Sequence, residues 1–151
     1  MTNRFDEIAR DLTIFYADDD KDDREVFTDA LSDIDRNLSV VTHEDAEELL
    51  HAMHHPPPTP NVLFLDLNMP GKNGFDVLKE IRQNSTFDEV PVVILSTSSD
   101  AETVARCRQL GANYYIPKAT DFEELKKAIY HTLKLDWGSF RPGPGEFFYK
   151  N

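Results

Sequence analysis

Short apolar runs alternate with longer amphipathic stretches along this chain, and the alternation occurs five times. Apolar runs bounded by turn residues read as strands, and apolar positions spaced three and four apart read as helices. Leu12-Thr13-Ile14-Phe15-Tyr16-Ala17 predicts a first strand that ends in acid, Asp18-Asp19-Asp20-Lys21-Asp22-Asp23. The next helix should turn Val26, Phe27, Ala30, Leu31 and Ile34 inward. Leu38 to Thr42 predicts the second strand, and Glu44 to Met53 the second helix, with Ala46, Leu49, Leu50 and Met53 inward. Pro56-Pro57-Pro58-Thr59-Pro60 then forms a connector that cannot be helical.

The third strand, Val62-Leu63-Phe64-Leu65, is wholly apolar, as a strand buried on both faces is. It ends in one carboxylate, Asp66, before the loop Leu67-Asn68-Met69-Pro70-Gly71. Helices are expected over Phe75–Asn84, with Val77, Leu78 and Ile81 buried, and over Asp100–Leu110, closed by Gly111. Pro91 to Ser96 is the fourth strand, and Tyr114-Tyr115-Ile116-Pro117-Lys118 the fifth. Pro117 lacks a ladder donor, which places that strand at a sheet edge. Asp121 caps a last helix carrying Phe122, Leu125, Ile129 and Leu133 on one stripe. Strand–helix alternation throughout predicts an α/β domain: a parallel sheet with helices on both faces.

Three segments follow from this reading: a polar lead-in over 1–11 with Phe5 and Ile8 as anchors, a domain over 12–135, and an arm over 136–151. The arm surrounds Arg141-Pro142-Gly143-Pro144-Gly145 with Trp137, Phe140, Phe147, Phe148 and Tyr149. That is too apolar for a free tail, so it docks on its own domain or on a second subunit.

Composition narrows the function. A net charge of −12 argues against a nucleic-acid partner, since phosphates repel an acidic surface. No apolar run approaches the roughly 20 residues of a membrane span, and the first residues lack the apolar core of a signal peptide. One cysteine, Cys107, allows no internal disulfide, and a cytoplasmic location is expected. Cys107 falls in a helix, where a small buried apolar side chain is the expected role. His51, His54 and His55 beside the prolines are expected to be surface residues, and Asp20, Asp22 and Asp23 a solvated helix start.

In a parallel sheet all strand C-termini open on one side. There the chain places Asp18 and Asp19, Asp66, Ser96 and Lys118. Three carboxylates held together repel and call for a cation. Hard oxygen donors suit Mg²⁺, with Mn²⁺ as an alternative. A carboxylate beside such a cation can attack a phosphoryl group, and a lysine can hold the charge that spreads over the transferring oxygens. A serine hydroxyl can donate to a phosphoryl oxygen once it arrives.

These pieces in this order resemble the receiver domain of bacterial two-component response regulators: Ala17-Asp18-Asp19-Asp20, Leu65-Asp66-Leu67-Asn68-Met69-Pro70-Gly71 with Gly74, Leu95-Ser96-Thr97-Ser98 and Ile116-Pro117-Lys118. The resemblance implies a flavodoxin-like (βα)5 fold with strand order 2-1-3-4-5. It implies Asp66 as phosphoacceptor, and Mg²⁺ held by Asp19, Asp66 and the Asn68 backbone carbonyl, with Asp18 acting through water. It further implies Lys118, Ser96 and Thr97 around the phosphoryl group, and Ser96 with Tyr115 as the switch pair; ordinary strand packing is the other reading of Tyr115. The implied partner is a sensor histidine kinase or a phosphotransfer protein. Signalling would pass through the face of helix four, strand five and helix five, with homodimerisation there or through the arm. Two features depart from the family. Ala119 stands where a proline after a cis bond is usual, and a cis bond before a non-proline costs about 2.5–4 kcal/mol. No output domain is expected after helix five, as in the small regulators paired with phytochrome-type or hybrid kinases. The rival is a Mg²⁺-dependent aspartyl-phosphate phosphohydrolase of the haloacid-dehalogenase type. It wants an acid two residues after the nucleophile, where this chain has Asn68. A scaffold that never turns over phosphate and a flavin-binding fold-mate are further rivals; against the latter, no Ser/Thr/Gly-rich phosphate loop follows the first strand.

Overall fold

A computed structural model describes residues 11–140 and 142–150. The proposed lead-in, with Phe5 and Ile8, lies outside the described residues apart from Asp11. The elements are β1 (Thr13–Ala17), α1 (Lys21–Ile34), β2 (Ser39–His43), α2 (Ala46–His54), β3 (Val62–Leu65) and α3 (Gly74–Arg82), then a 3₁₀ turn over Ser85–Phe87. They continue with β4 (Val92–Ser96), α4 (Ala101–Gln109), β5 (Tyr114–Pro117) and α5 (Phe122–Leu133). The sheet is parallel throughout its ladders and runs β2-β1-β3-β4-β5, the flavodoxin-like arrangement.

Strand side chains alternate between faces, which splits the core in two. Phe15, Leu63, Leu65, Ile94 and Tyr115 pack with α2, α3 and Cys107 of α4. Ile14, Tyr16, Phe64, Leu95, Tyr114 and Ile116 pack with α1 and α5. Because β1, β3 and β4 are central, both of their faces are covered, and their loops gather at one end of the sheet. Each helix starts on a side-chain cap: Asp20, Asp45, Asn73, Asp100 and Asp121 accept from backbone N–H groups of the first turn. Gly111 closes α4 at φ +105°, a left-handed conformation that glycine tolerates.

One expectation needs correction. Val26 is 40% exposed and not part of the core. The buried stripe of α1 is Phe27, Ala30, Leu31 and Ile34, a complete i, i+3, i+4, i+7 set, and Val26 lies one position off it. The fifth strand lies at the sheet edge, as Pro117 predicts, and the arm covers part of its outer side. The Tyr115 N–H donates to the Phe147 carbonyl at 3.0 Å, and the Tyr149 N–H donates to the Tyr115 carbonyl at 2.8 Å. This makes a parallel bridge between Tyr115 and Phe148. Residues two apart in a strand point their N–H groups the same way, so Pro117 shares the outward register of Tyr115 and costs β4 no ladder bond.

The arm clasps β5 from both faces. Phe147 is buried in the α2–α4 core, and Phe148 stacks on Tyr115 at 5.6 Å between ring centroids. Trp137, Phe140 and Tyr149 meet Tyr114 edge-on at 5.9–6.5 Å on the α5 side. Of the two docking modes open from the sequence, the chain shows the intramolecular one. Cys107 is fully buried, and burial pushes its thiol up to about 12. His51, His54 and His55 are exposed. Among the described residues, no helix is long and apolar enough to cross a membrane.

Candidate functional site

The C-terminal ends of β1, β3, β4 and β5 bring together every residue that the strand-end pattern selected. Ligand oxygens of Asp18, Asp19 and Asp66 lie within 4.8 Å of one another. Asp18 and Asp66 are buried and Asp19 is exposed. The backbone fixes the first two: the Asp18 N–H donates to the His43 carbonyl of β2, and the Asp66 N–H to the Ala17 carbonyl of β1, both at 3.0 Å. The loop after Asp66 folds back so tightly that a Cβ on Gly74 would stand 2.5 Å from the Asp66 carbonyl oxygen and 2.6 Å from Leu67 Cα. Glycine is required there by space alone.

Asp18 is fully engaged. Its Oδ1 accepts from the Asp20 N–H at 2.9 Å. Its Oδ2 accepts from the Tyr16 hydroxyl and from Lys118 Nζ, the latter at 2.8 Å. Arg24 donates to its carbonyl at 2.7 Å. Asp66 is the opposite case: its Oδ1 is buried with no hydrogen-bond partner, and Lys118 Nζ stands off at 3.5 Å, an ion pair only. Burial first, and the charge of Asp18 second, raise the Asp66 carboxyl from the usual 3.8 to about 6, against the pull of Lys118 and of the Asn68 backbone N–H. Burial pulls the Lys118 ammonium down, but its hydrogen bonds to Asp18 and Asp23 and the charge of Asp66 outweigh this and hold it above the ordinary lysine range. Burial and the same carboxylates push the Tyr16 hydroxyl far up, so it serves as a neutral donor.

Ser96 is buried at the end of β4, where its Oγ accepts from the Ser98 N–H at 3.2 Å. Tyr115 is fully buried and donates to the Ser98 carbonyl at 2.6 Å, so one loop residue ties Ser96 to Tyr115. Thr97 and Asn68 are exposed. Thr97 lines an open cavity of about 340 Å³ with Tyr16, Asp23, Val26 and Lys118. Among the described residues, the cis peptide bonds are Pro56–Pro57 and Pro57–Pro58, so the Lys118–Ala119 bond is trans.

Sequence reasoning missed four neighbours of the site. Asp23, expected in solvent, bonds Lys118 Nζ at 2.9 Å. Arg24 and His43 hold the Asp18 backbone, and Tyr16 holds its carboxylate. Tyr16 was within reach of pattern reasoning, since it shares a strand face with Asp18 two residues on. Nothing in the sequence marked the other three.

A five-stranded parallel sheet in this order, with an acidic cluster and a lysine at its strand ends, defines a class of signalling domain. Residues 14–130 match the response regulator receiver domain, and the chain belongs to that family. It is 40% identical over 72 residues to response regulator Rcp1 of Synechocystis sp., a stretch covering 48% of this chain and 49% of Rcp1. It is 34% identical over 122 residues to the DNA-binding transcriptional regulator NtrC of Escherichia coli K12, covering 78% of this chain and 25% of NtrC. The chain thus spans half or less of the length of these curated relatives. Among solved structures it resembles the phosphorylated cyanobacterial phytochrome response regulator RcpA, with TM-score 0.74 and 30% identity over 88% of this chain and 98% of that one. It also resembles the Mn²⁺-bound form of Rcp1, with TM-score 0.73 and 26% identity over 87% of this chain and 99% of that one.

Proposed function

We propose that Asp66 accepts a phosphoryl group from a phosphohistidine of a sensor kinase or phosphotransfer protein, and that the resulting charge switches the α4–β5–α5 face. The observation that carries this is Asp66 Oδ1: a buried carboxylate oxygen without a hydrogen-bond partner, at a strand end, facing a lysine and two further acids. Buried carboxylates ordinarily find donors. One left open beside a cation is available as a nucleophile.

The same orphaned oxygen fits a divalent metal. Asp19, Asp66 and the Asn68 carbonyl would hold Mg²⁺ or Mn²⁺, with Asp18 behind them through water. The ion would neutralise charge on the phosphoryl oxygens. Mn²⁺ has support in the Mn²⁺-bound Rcp1 relative. In the transfer, a carboxylate oxygen of Asp66 forms a bond to phosphorus as the histidine N–P bond breaks, and the imidazole nitrogen keeps the electron pair and takes up a proton. Lys118 receives the phosphoryl charge, and Ser96 and Thr97 offer hydroxyl donors. Hydrolysis later returns Asp66 and inorganic phosphate, and the domain catalyses nothing beyond its own phosphorylation and dephosphorylation.

Ser96 is drawn toward the new group, which loosens its contact with the Ser98 N–H. Tyr115, tied to Ser98, carries the change into β5 and the arm. A partner or second copy approaching this face would meet arm side chains, Phe148 among them, as well as α4 and α5. A phytochrome-type kinase is the favoured source, by likeness to RcpA. Such a partner and the reduced Cys107 fit a cytoplasmic setting. The haloacid-dehalogenase reading remains disfavoured because Asn68 is an amide and cannot act as acid or base.

The test is incubation with acetyl phosphate and Mg²⁺ followed by intact mass. One added phosphate in the wild type, lost in Asp66→Asn, is expected. An unmodified wild type, or an adduct that survives Asp66→Asn, would overturn the assignment.

A further inference from the structure

We infer that Asp23 is a positioning residue that holds Lys118 away from Asp66 and so restrains phosphorylation; this rests on the reading of Asp66 given above. Lys118 pairs only with carboxylates among the described residues. Its Nζ is 2.8 Å from Asp18 Oδ2 and 2.9 Å from Asp23 Oδ2, but 3.5 Å from Asp66 Oδ1. An ammonium has three donors, and two of them are committed to acids other than the one that would react.

Asp23 is held in place to do this. It sits in the first turn of α1, where the Asp20 cap accepts from its backbone N–H at 3.2 Å and from that of Asp22 at 2.8 Å. Its carboxylate faces the cavity that also exposes Thr97 and Lys118. It is not among the carboxylates that cluster as metal donors. Cation binding would therefore leave Asp23 on the lysine.

A phosphoryl group on Asp66 brings about two negative charges that need Lys118. Asp23 opposes its arrival by occupying a lysine donor. The consequence is a resting state in which the lysine leans on α1 and phosphorylation must pull it off.

The experiment measures beryllofluoride affinity by calorimetry in saturating Mg²⁺, and the rate of phosphate uptake from acetyl phosphate by intact mass. Asp23→Asn keeps the shape and removes the charge. Asp22→Asn removes the same charge one residue away, from an exposed side chain that makes no ion pair with Lys118. Each protein is also melted thermally to confirm its fold. Asp23→Asn is expected to bind beryllofluoride and take up phosphate about three- to tenfold better than wild type, the range for losing a competing, partly exposed charged hydrogen bond. Asp22→Asn should change both by less than about twofold, as a screened surface charge does. In a Lys118→Ala background the effect of Asp23→Asn should vanish, because it acts through the lysine.

An Asp23→Asn protein that matches Asp22→Asn, that binds more weakly than wild type, or that keeps its gain without Lys118 would overturn the inference alone. A wild type that takes up neither beryllofluoride nor phosphate would overturn it together with the phosphoacceptor reading.

Discussion

Replacing Asp66 by asparagine should make the protein more stable in the absence of divalent cations, although it removes an ion pair. Asp66 is 2% exposed, has one carboxylate oxygen without a hydrogen bond, and shares its site with Asp18. Its carboxyl is raised from the usual 3.8 to about 6. That displacement of about two pH units, at about 1.36 kcal/mol each, means ionisation costs the folded state about 3 kcal/mol relative to the unfolded chain. The pH window follows from the direction. Below about pH 4 the group is protonated in both states and nothing is lost. Between about 4 and 6 the unfolded chain ionises first, so stability falls as pH rises. Above about 6 the full penalty stands.

Asparagine keeps the shape and removes the charge. Urea unfolding in EDTA at pH 7.5 should show Asp66→Asn more stable by about 2–3 kcal/mol, with an unchanged slope on urea. At pH 4 the two proteins should differ by less than about 0.5 kcal/mol. Mg²⁺ added at pH 7.5 should stabilise the wild type by mass action and narrow the gap. A variant no more stable than wild type at pH 7.5, or equally stabilised at both pH values, would refute the reasoning, because the gain must follow ionisation.

Three further changes probe the surroundings. Gly74→Ala puts a methyl group 2.5–2.6 Å from backbone atoms of Asp66 and Leu67, so thermal melts should show a loss of about 3 kcal/mol or more with impaired phosphate uptake; an alanine variant as stable as wild type would mean the loop is not held closed. His43 is buried and burial lowers its pKa below the usual 6.5, so the folded state keeps it neutral. The stability this leaves is present above pH 6.5 and lost as pH falls below it; His43→Phe should flatten that limb in acid unfolding, and an unaltered pH profile would count against it. Phe147→Ala empties a core site that is 1% exposed and should cost about 3 kcal/mol, with a shift in the fluorescence of Trp137, the one tryptophan of the chain. An unchanged melting temperature would show that the arm contributes little to the fold.

Much of this fold was legible because its signals are local. The strands announce themselves as apolar runs, β3 above all, and the order of elements follows from their alternation. The start of α5 was readable because Asp121 precedes a periodic stretch. The course of the arm was not, since its pairing with β5 depends on contacts between residues some 30 positions apart, Tyr115 with Phe147 and Tyr149. Its aromatic content said that it must be covered. The choice between its own domain and another subunit was set by the outward N–H and C=O of Tyr115, which are exposed to pairing only once β5 takes the last place in the sheet.

The site divides along the same line. Residues at strand ends were found because a parallel sheet gathers them whatever the side chains do: Asp18, Asp66, Ser96 and Lys118. Residues on α1 were not found. Val26 was read as core and Asp23 as solvated, yet both line the cavity beside Lys118. They are three residues apart and so share a helix face. The hydrophobic pattern leaves the rotation of a helix about its axis uncertain by about one residue, or roughly 100°. Because the two share a face, taking Val26 as inward implies an inward Asp23 as well; Asp23 was assigned to solvent on its charge in the first turn alone. With the stripe centred on Phe27, Ala30, Leu31 and Ile34, Asp23 and Val26 turn together toward the end of β5. The exposed valine is therefore the sequence position that, correctly phased, points to the extra acid on Lys118.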